Sequence, residues 1–274
     1  MVPDDELLTK IHKVSLYILL AFDKVCREND LTYFLDSGTA LGAVRHGGFI
    51  PWDDDIDVGM PRKDYERFLR IGQKKFPEYF FIQTTMTDPF YNHNFAKIRL
   101  KGTVFQEHKD LPYLENGFFI DIFPFDNVPK NKCLASMNVL ISRLYFRVIS
   151  AAWGRKEAKT GFRRFIQKII QKIPQSHLKW LNDKYLRFCR KHEDENTGFM
   201  TCYLWRMSQY KTYIFDTKRM LPTKDINFEG KSLKIMQDAD YYLKLMYGAY
   251  MELPPISERH GHHLAGMIDF GTFF

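Results

Sequence analysis

Apolar residues follow helical spacing near the start of the chain and strand-like alternation soon afterwards. A series of apolar residues at three- and four-residue steps, from Leu7 to Val25, predicts an amphipathic helix that ends near Asn29. Apolar and acidic residues alternate from Asp55 to Met60, which predicts a strand with its acids on one face. Similar patterns predict further helices and strands, the helices at 40–45 and 63–75 and the strands at 33–36, 79–83, 96–100, 103–107 and 117–123.

The second half of the chain is organised differently. From about 132 to 190 the sequence is helical, basic and aromatic, and Pro174 divides this stretch because proline cannot continue a helical hydrogen-bond ladder. The segment 227–250 returns to a strand followed by a helix. Because helices and short strands are mixed irregularly, the pattern predicts an α+β fold and not a doubly wound one. We therefore expect a mixed-sheet core at 1–130, a basic helical insert at 131–222, and a C-terminal segment at 223–274 that returns to the core.

Composition adds a contrast in charge between parts of the chain. With 274 residues, 45% of them apolar, the chain is long and apolar enough for a globular fold with a large core. The formal net charge is +7, but the segment 130–191 holds 16 Lys and Arg against only Glu157 and Asp183. The basic helices fit three interpretations: core helices with solvated faces, a nucleic-acid surface, or helices that lie on an anionic membrane. The sequence has no recognised RNA- or DNA-binding motif, so we expect no nucleic-acid partner.

The start of the chain and its cysteines bear on location. The chain begins with acidic residues where a secretory signal needs positive charge, and no run approaches the roughly 20 apolar residues of a membrane-spanning helix. The four cysteines are widely separated and form no C-x-x-C pair, which argues against a zinc ribbon and against a disulfide framework. We expect a cytoplasmic protein, either free or peripheral at the inner face of the plasma membrane.

Four of the five residues from 53 to 57 are aspartates. On an extended strand, residues two apart lie on one face about 6.5 Å apart, so Asp55 and Asp57 can share a cation. Asp121 lies in the middle of an apolar run, where a carboxylate is costly to bury unless it is paired or metal-bound, and it is the candidate third ligand. Carboxylates combined with phosphates suit Mg²⁺ or Mn²⁺. The pattern predicts a divalent metal on these three catalytic aspartates, and a solvated acidic turn is the alternative.

A glycine turn precedes the acidic segment. Gly38 and Thr39 open a predicted helix, whose first N–H groups and positive dipole end suit a phosphate. Cationic side chains that could clamp phosphate oxygens are Arg45, His46, Lys97 and Arg99. Salt bridges from these cations to the aspartates are the alternative. A nucleotide bridged by the metal would explain why the chain places so many aspartates beside a phosphate-binding turn.

The same acids offer a base for an attacking hydroxyl group. Asp53, Asp54 and Asp121 are the candidates, and the sequence does not choose among them. Asp53 shares the alternation of the metal pair and Asp54 would point away, although the Pro51-Trp52 turn can interrupt that alternation.

A basic tract near the C-terminal end contains Arg259, His260, His262 and His263. Histidine-rich tracts can bind metals, but histidine suits zinc better than a magnesium ion held by phosphates. We therefore expect these residues to form hydrogen bonds or to contact the acceptor, with a solvated loop as the alternative.

The segment FLDSGTALGAVRHGGFIPWDDDIDVGMPRKDYERF, Phe34 to Phe68, closely resembles the signature of the LicD family of phosphotransferases, relatives of the fukutin proteins. Segments at 95–107, 116–126, 227–230 and 247–255 agree with the family in the same order. The resemblance implies a nucleotidyltransferase-like fold in which a Gly-Ser/Thr turn, a D-x-D strand and a third acidic strand surround a metal. Gly38-Thr39, Asp55-x-Asp57 and Asp121 match those three places.

The resemblance also implies a reaction. Family members transfer a phospho-alcohol, typically phosphocholine from CDP-choline or ribitol phosphate from CDP-ribitol, to a sugar hydroxyl. We expect a CDP-alcohol donor, CDP-choline above others, with release of CMP and with a cell-surface glycan or polyprenyl-linked oligosaccharide as acceptor. Ribitol- or glycerol-phosphate transfer, a D-x-D glycosyltransferase and a non-catalytic membrane-docked assembly protein are the alternatives. If the donor carries choline, Trp52 and Tyr91 are candidates for the aromatic faces that bind its quaternary ammonium.

Overall fold

The computed structural model describes residues 5–91, 93–107, 115–152, 161–170, 172–204, 213–261 and 266–273. The chain forms two compact units. Unit 1 comprises Met1–Pro124 with Thr217–Phe274, and unit 2 comprises Phe125–Asp216. The predicted insert, 131–222, begins and ends a few residues later than unit 2 does.

The secondary structure alternates short strands with helices of very different length. The helices are α1 (Asp5–Glu28), α2 (Ser37–His46), α3 (Arg62–Lys75), α4 (Lys132–Ala152), α5 (Gly161–Ile170), α6 (Gln175–Cys189), α7 (Thr217–Met220) and α8 (Ala239–Tyr247). The strands are β1 (Phe34–Leu35), β2 (Asp57–Pro61), β3 (Phe80–Gln83), β4 (Ala96–Leu100), β5 (Val104–Phe105), β6 (Phe119–Asn127), β7 (Phe199–Thr201), β8 (Phe215–Asp216), β9 (Lys224–Phe228), β10 (Lys231–Ile235) and β11 (Ile268–Asp269). Single 3₁₀ turns occur at Arg190–His192 and Ile256–Glu258.

Helix α1 packs on the core of unit 1 along the apolar stripe that the sequence predicts. Ile11, Val14, Ile18 and Phe22 are each at most 1% exposed. Burial of one such side chain contributes about 1.5–3 kcal/mol, so the stripe holds this long helix in place far more firmly than helix propensity does. The predicted existence and extent of the helix are confirmed.

The sheet of unit 1 has the strand order β1-β2-β6-β4-β3. Strands β4 and β6 are antiparallel and pair Lys97 with Asp121, and all five residues of β4 are buried, so the sheet is covered on both faces. The Asp121 amide donates a hydrogen bond to the carbonyl of Ile56 at 2.8 Å, which ties β6 to the residue just before β2. This mixture of one central sheet and flanking helices confirms the predicted α+β class.

Two sheet segments differ from their predictions. The strand predicted at 103–107 is only β5, which pairs with β11 from the end of the chain. The single strand predicted after residue 227 is a hairpin of β9 and β10, because Glu229 (φ 52°) and Gly230 (φ 71°) form a two-residue turn with both residues in the left-handed region. A glutamate seldom adopts this conformation, so the sequence signal for the turn was weak.

Unit 2 contains the end of β6, strands β7 and β8, and helices α4 to α6. Asp126 of β6 pairs with Thr201 of β7, and Met200 pairs with Phe215 of β8. Pro174 immediately precedes α6, which confirms that it divides the helical stretch. Across the described parts of both units, every helix is too short or too polar to cross a membrane.

Candidate active site

The first turn of helix α2 anchors the acidic segment. Asp36 caps the helix by accepting a hydrogen bond from the Ser37 amide, and its own amide donates to the Asp57 carbonyl at 2.9 Å. The Asp57 amide donates to the Thr39 hydroxyl oxygen, also at 2.9 Å. The residues Ser37 to Thr39, predicted as a turn before the helix, are therefore its first turn. The sharp change of direction is made by Ser37, whose φ is 46°.

Gly38 permits the closest approach between this helix and the acidic segment. A methyl group at Gly38 would lie 2.7 Å from Asp53 Oδ2, so a larger residue would displace that carboxylate. In this structure the Asp53 carboxylate thus lies at the helix end where the sequence predicts a phosphate. The positive end of α2 stabilises negative charge at this position, whether it comes from a carboxylate or from a ligand.

His12, which sequence reasoning missed, holds the main chain of Asp53 in place through a hydrogen bond. Its Nε2 donates to the Asp53 carbonyl at 2.7 Å, and its ring stacks on Phe49 at a centroid distance of 4.0 Å. Burial lowers the pKa of His12, so the neutral ring is the form that this packing favours. The residue lies on α1 with no motif around it, and only its long-range contact identifies it.

Three carboxylates form a compact acidic cluster, defined as Asp53, Asp54 and Asp55. Oxygen atoms of the three residues all lie within 4.8 Å of one another, and Asp54 is buried. The expectation that Asp54 points away from Asp53 and Asp55 is wrong, because β2 begins only at Asp57 and the preceding residues do not alternate as a strand does.

Asp57 and Asp121 lie beside the acidic cluster. The amide of Asp121 bonds the carbonyl of Ile56, the residue between Asp55 and Asp57. The main-chain bond brings Asp121 next to the segment that carries Asp55 and Asp57, but among the described residues the acids whose oxygens lie within 4.8 Å of one another are Asp53, Asp54 and Asp55. Hard carboxylate oxygens are the donors that Mg²⁺ or Mn²⁺ prefers, so the acidic cluster fits such an ion, with Asp57 and Asp121 on the adjoining strands.

Asp121 is held by a buried ionic network. Lys97 Nζ lies 2.6 Å from Asp121 Oδ1 and 3.0 Å from Glu107 Oε1, and Arg99 bonds the other Glu107 oxygen at 2.7 Å. The Lys97 ammonium also lies 3.5 Å from the centroid of the Phe119 ring. Of the two roles considered, Lys97 forms the predicted type of salt bridge to an aspartate, whereas Arg99 pairs with a glutamate. Glu107 is the partner that sequence reasoning missed.

Two tyrosines of helix α8 also lie near the acids, and no sequence motif singles them out. The Tyr242 hydroxyl donates a short hydrogen bond to Asp36 Oδ1. Tyr247 is 42% exposed. Desolvation of its hydroxyl group, and then the charges of Asp36, Asp57, Asp53 and Asp55, raise the pKa of Tyr247 well above its ordinary value. Tyr247 is therefore a protonated hydrogen-bond donor beside the acidic cluster.

Three basic residues lie near the Pro51-Trp52 turn. Arg45 donates to the carbonyls of Tyr250 and Glu252 at 2.8 and 3.2 Å, and the Arg259 guanidinium lies 5.2 Å from the Trp52 ring centroid. Burial and then the charge of Arg259 lower the pKa of Arg45. Burial and then the charge of Arg45 lower the pKa of the exposed His46. The two neighbouring arginines form a region of positive potential, and His46 beside them favours its neutral form.

The remaining predicted residues have mixed outcomes. Tyr91 packs in the core with 1% exposure, so it does not offer an aromatic face to a ligand at the surface. His260 bonds the carbonyl of its neighbour Gly261, and a methyl group at Gly261 would lie 2.6 Å from the Asp54 carboxyl group, which places this loop directly against the acidic cluster. His262 and His263 lie outside the described residues.

Comparisons with known proteins identify the family of the chain. Residues 30–143 match the family model described as the LicD/FKTN/FKRP nucleotidyltransferase domain. The chain is 30% identical over 262 residues to the lipopolysaccharide cholinephosphotransferase LicD of Haemophilus influenzae, covering 92% of this chain and 94% of that protein. An uncharacterised protein of Rickettsia typhi is 44% identical over 59 residues, 21% of this chain and 19% of that protein. The human ribitol 5-phosphate transferase FKRP is 53% identical over 32 residues, 12% of this chain and 6% of that protein. The chain therefore belongs to the LicD family of phosphotransferases.

Proposed function

We propose that this protein transfers phosphocholine from CDP-choline to a sugar hydroxyl of a cell-surface glycan or its lipid-linked precursor and releases CMP. The observation that carries this proposal is the similarity to a lipopolysaccharide cholinephosphotransferase along 92% of the chain. The acidic cluster beside the first turn of α2 supports it, because a diphosphate donor needs both a cation site and hydrogen-bond donors.

The proposed metal is Mg²⁺ or Mn²⁺. Asp55 belongs both to the predicted ligand set with Asp57 and Asp121 and to the acidic cluster, so it is the ligand common to both arrangements. The bound ion would neutralise charge on the donor's diphosphate. In the free protein Lys97 supplies positive charge to Asp121, which keeps this buried carboxylate in place.

The chain's own residues supply the rest of the chemistry. Arg45 and Arg259 are suited to bind phosphate oxygens, because their positive charges lie close together and both are anchored through main-chain carbonyls. His46, whose pKa is lowered, is suited to donate a hydrogen bond to a phosphate oxygen. Tyr247 is suited to donate a hydrogen bond to the transferred phosphate or to the acceptor. Asp53 is the proposed base for the acceptor hydroxyl, since its carboxylate lies against Gly38, beside the proposed phosphate site.

Ribitol- or glycerol-phosphate transfer is the second candidate. The Trp52 face, the predicted site for choline, is covered by the Arg259 guanidinium, and a quaternary ammonium would have to displace it. A polyol phosphate needs no such aromatic face. The short, strong similarity to the ribitol 5-phosphate transferase FKRP also favours this candidate.

The reaction is tested by measuring CMP release. The purified protein is incubated separately with CDP-choline, CDP-ribitol and CDP-glycerol, with Mg²⁺, Mn²⁺ or EDTA, and with a glycan acceptor. We expect metal-dependent CMP release from CDP-choline, and loss of at least 100-fold in Asp55→Asn. Asp183→Asn, an exposed change in unit 2, is the matched control and should keep full activity. Release of UDP from UDP-sugars without CMP release would instead indicate a glycosyltransferase.

The phosphate-binding role of the arginines has its own test. Arg45→Gln and Arg259→Gln should each raise the KM for the CDP donor about tenfold or more, since each removes a charge-assisted hydrogen bond worth about 1.5–3 kcal/mol. Arg70→Gln removes an exposed arginine of α3 and serves as the control. Unchanged KM values in both variants would show that these arginines only brace the C-terminal segment.

A further inference from the structure

Helix α4 of unit 2 presents an exposed apolar stripe. Leu134, Met137, Leu140 and Leu144 are 47–57% exposed, and their spacing of three, three and four residues places them on one side of the helix. Large apolar side chains at such exposure are ordinary when scattered, but a contiguous row marks an interaction surface. Opposite this stripe, Ala135, Val139 and Ile149 are buried, so the helix already has a packed inner face.

Basic residues accompany the stripe. Helix α4 contains Lys132, Arg143 and Arg147 and has no acidic residue along its length. Both Lys132 and Arg147 are exposed. Arg147 lies beside Leu140 and Leu144 by helical geometry, and Lys132 lies in the first turn of the helix with its ammonium 6.0 Å from the Phe199 ring centroid. We refer to the apolar stripe together with these two basic residues as the α4 face.

The two following helices repeat the combination. On α5, Phe165 and Ile169 are 61% and 53% exposed at a spacing of four residues, with Lys168 exposed beside them. On α6, Trp180 is 58% exposed, and Lys184 Nζ lies 5.6 Å from its ring centroid. Exposed aromatic rings beside lysines are typical of helices that lie at a membrane interface.

We propose that the α4 face binds the surface of an anionic phospholipid bilayer. Apolar side chains would enter the boundary between headgroups and acyl chains, and the flanking cations would contact lipid phosphates. The positive charge of the α4 face favours an anionic membrane, and a second copy of the chain and a nucleic acid fit the face less well. A second copy would bring two positively charged faces together, and a nucleic acid would leave the apolar row without a partner. The inference goes beyond the proposed transfer reaction and does not depend on it.

Sedimentation with vesicles tests the proposal. The full chain is mixed with vesicles of neutral phosphatidylcholine, or with vesicles that contain about a third phosphatidylglycerol. We expect binding to the anionic vesicles only, weakened by high salt because the attraction is screened. Leu140→Asp/Leu144→Asp should reduce the partition coefficient at least about tenfold, and Lys132→Glu/Arg147→Glu should do so at low salt only.

Matched controls distinguish binding through the α4 face from nonspecific adsorption to vesicles. Met86→Asp replaces a methionine that is 92% exposed in unit 1, and Lys24→Glu reverses an exposed lysine of α1; both should bind like the unchanged chain. Circular dichroism checks that each variant is folded. The proposal is overturned if the anionic vesicles do not bind, if the α4 variants bind normally, or if the controls lose binding equally. A lipid-free dimer or a DNA complex that the α4 variants abolish would also overturn it. CMP release is measured separately, so failure of either proposal is seen on its own.

Discussion

Substitution of Lys97 by methionine offers a sharp test of how the site is built. The Lys97 ammonium lies between Asp121 and Glu107 at 2.6 and 3.0 Å, and the three side chains are 3%, 5% and 9% exposed. Methionine fills much of the same space without the charge. Removal of one partner from a buried ion pair costs about 3–5 kcal/mol, because it leaves a buried charge uncompensated. Glu107 keeps its bond to Arg99, so most of this loss should come from Asp121.

Urea unfolding followed by circular dichroism at pH 7.5 measures the effect. We expect Lys97→Met to lower the free energy of unfolding by about 3–5 kcal/mol, whereas Lys101→Met, an exposed lysine just after β4, should change it by less than about 0.5 kcal/mol. The double variant Lys97→Met/Asp121→Leu should be more stable than Lys97→Met alone, since it removes both charges. If Lys97→Met were as stable as Lys101→Met, or if the double variant lost the sum of the single losses, the network would not stabilise Asp121 as we argue.

Three further changes probe other contacts. Tyr242→Phe removes the hydrogen bond to the Asp36 carboxylate and should cost about 1.5–3 kcal/mol in urea unfolding, against less than about 0.5 kcal/mol for the exposed Tyr79→Phe; equal losses would contradict a special role for this bond. Gly42→Ala places a methyl group against the Gly48 carbonyl and 3.1 Å from the Ile50 amide and should lower stability by about 1–3 kcal/mol in thermal unfolding, whereas Gly161→Ala meets nothing within 4 Å and should not destabilise. The bonds from Lys234 and Arg27 lower the pKa of Asp225 to about 2 in the folded chain, so its contribution is present above the ordinary pKa near 3.8 and is lost as pH falls through about 2. At pH 7 the free energy of unfolding of the wild type should exceed that of Asp225→Asn by at most about 1 kcal/mol, because the salt bridges of Asp225 are exposed. If this difference in stability grew as the pH was lowered, the stabilising role of the Asp225 carboxylate would be refuted.

The sequence predicted those parts of the fold that depend on residues close together in the chain. The apolar stripe of α1, the exact extent of β4 and the break at Pro174 depend on neighbouring residues in the sequence, and the structure confirms all three. The hairpin turn at Glu229-Gly230 was missed, because a glutamate with positive φ carries a weak sequence signal.

The candidate site shows a different limit. The sequence pattern identified the aspartates because they are consecutive. It did not predict their orientation, because side chains alternate between two faces only within a strand and β2 begins at Asp57. From the sequence, Lys97 and Arg99 could bind either a ligand or an acidic side chain. The structure shows that both form salt bridges to Glu107, which is distant from the aspartates in the sequence. Tyr242 lies 206 residues from Asp36, a separation across which a single sequence carries no pairing information.

The contacts of the segment after β10 determine when the site is completed during synthesis and which fragments of the chain can contain it. Tyr242, Tyr247, Arg259 and Gly261 all lie at the site formed by α2 and the acidic residues, although the match to the domain model ends at residue 143. A nascent chain that has emerged only as far as unit 2 would carry the aspartates without these partners, so activity must await the emergence of α8 and the loop after it. A fragment limited to the matched residues would likewise carry the family's signature without a complete site.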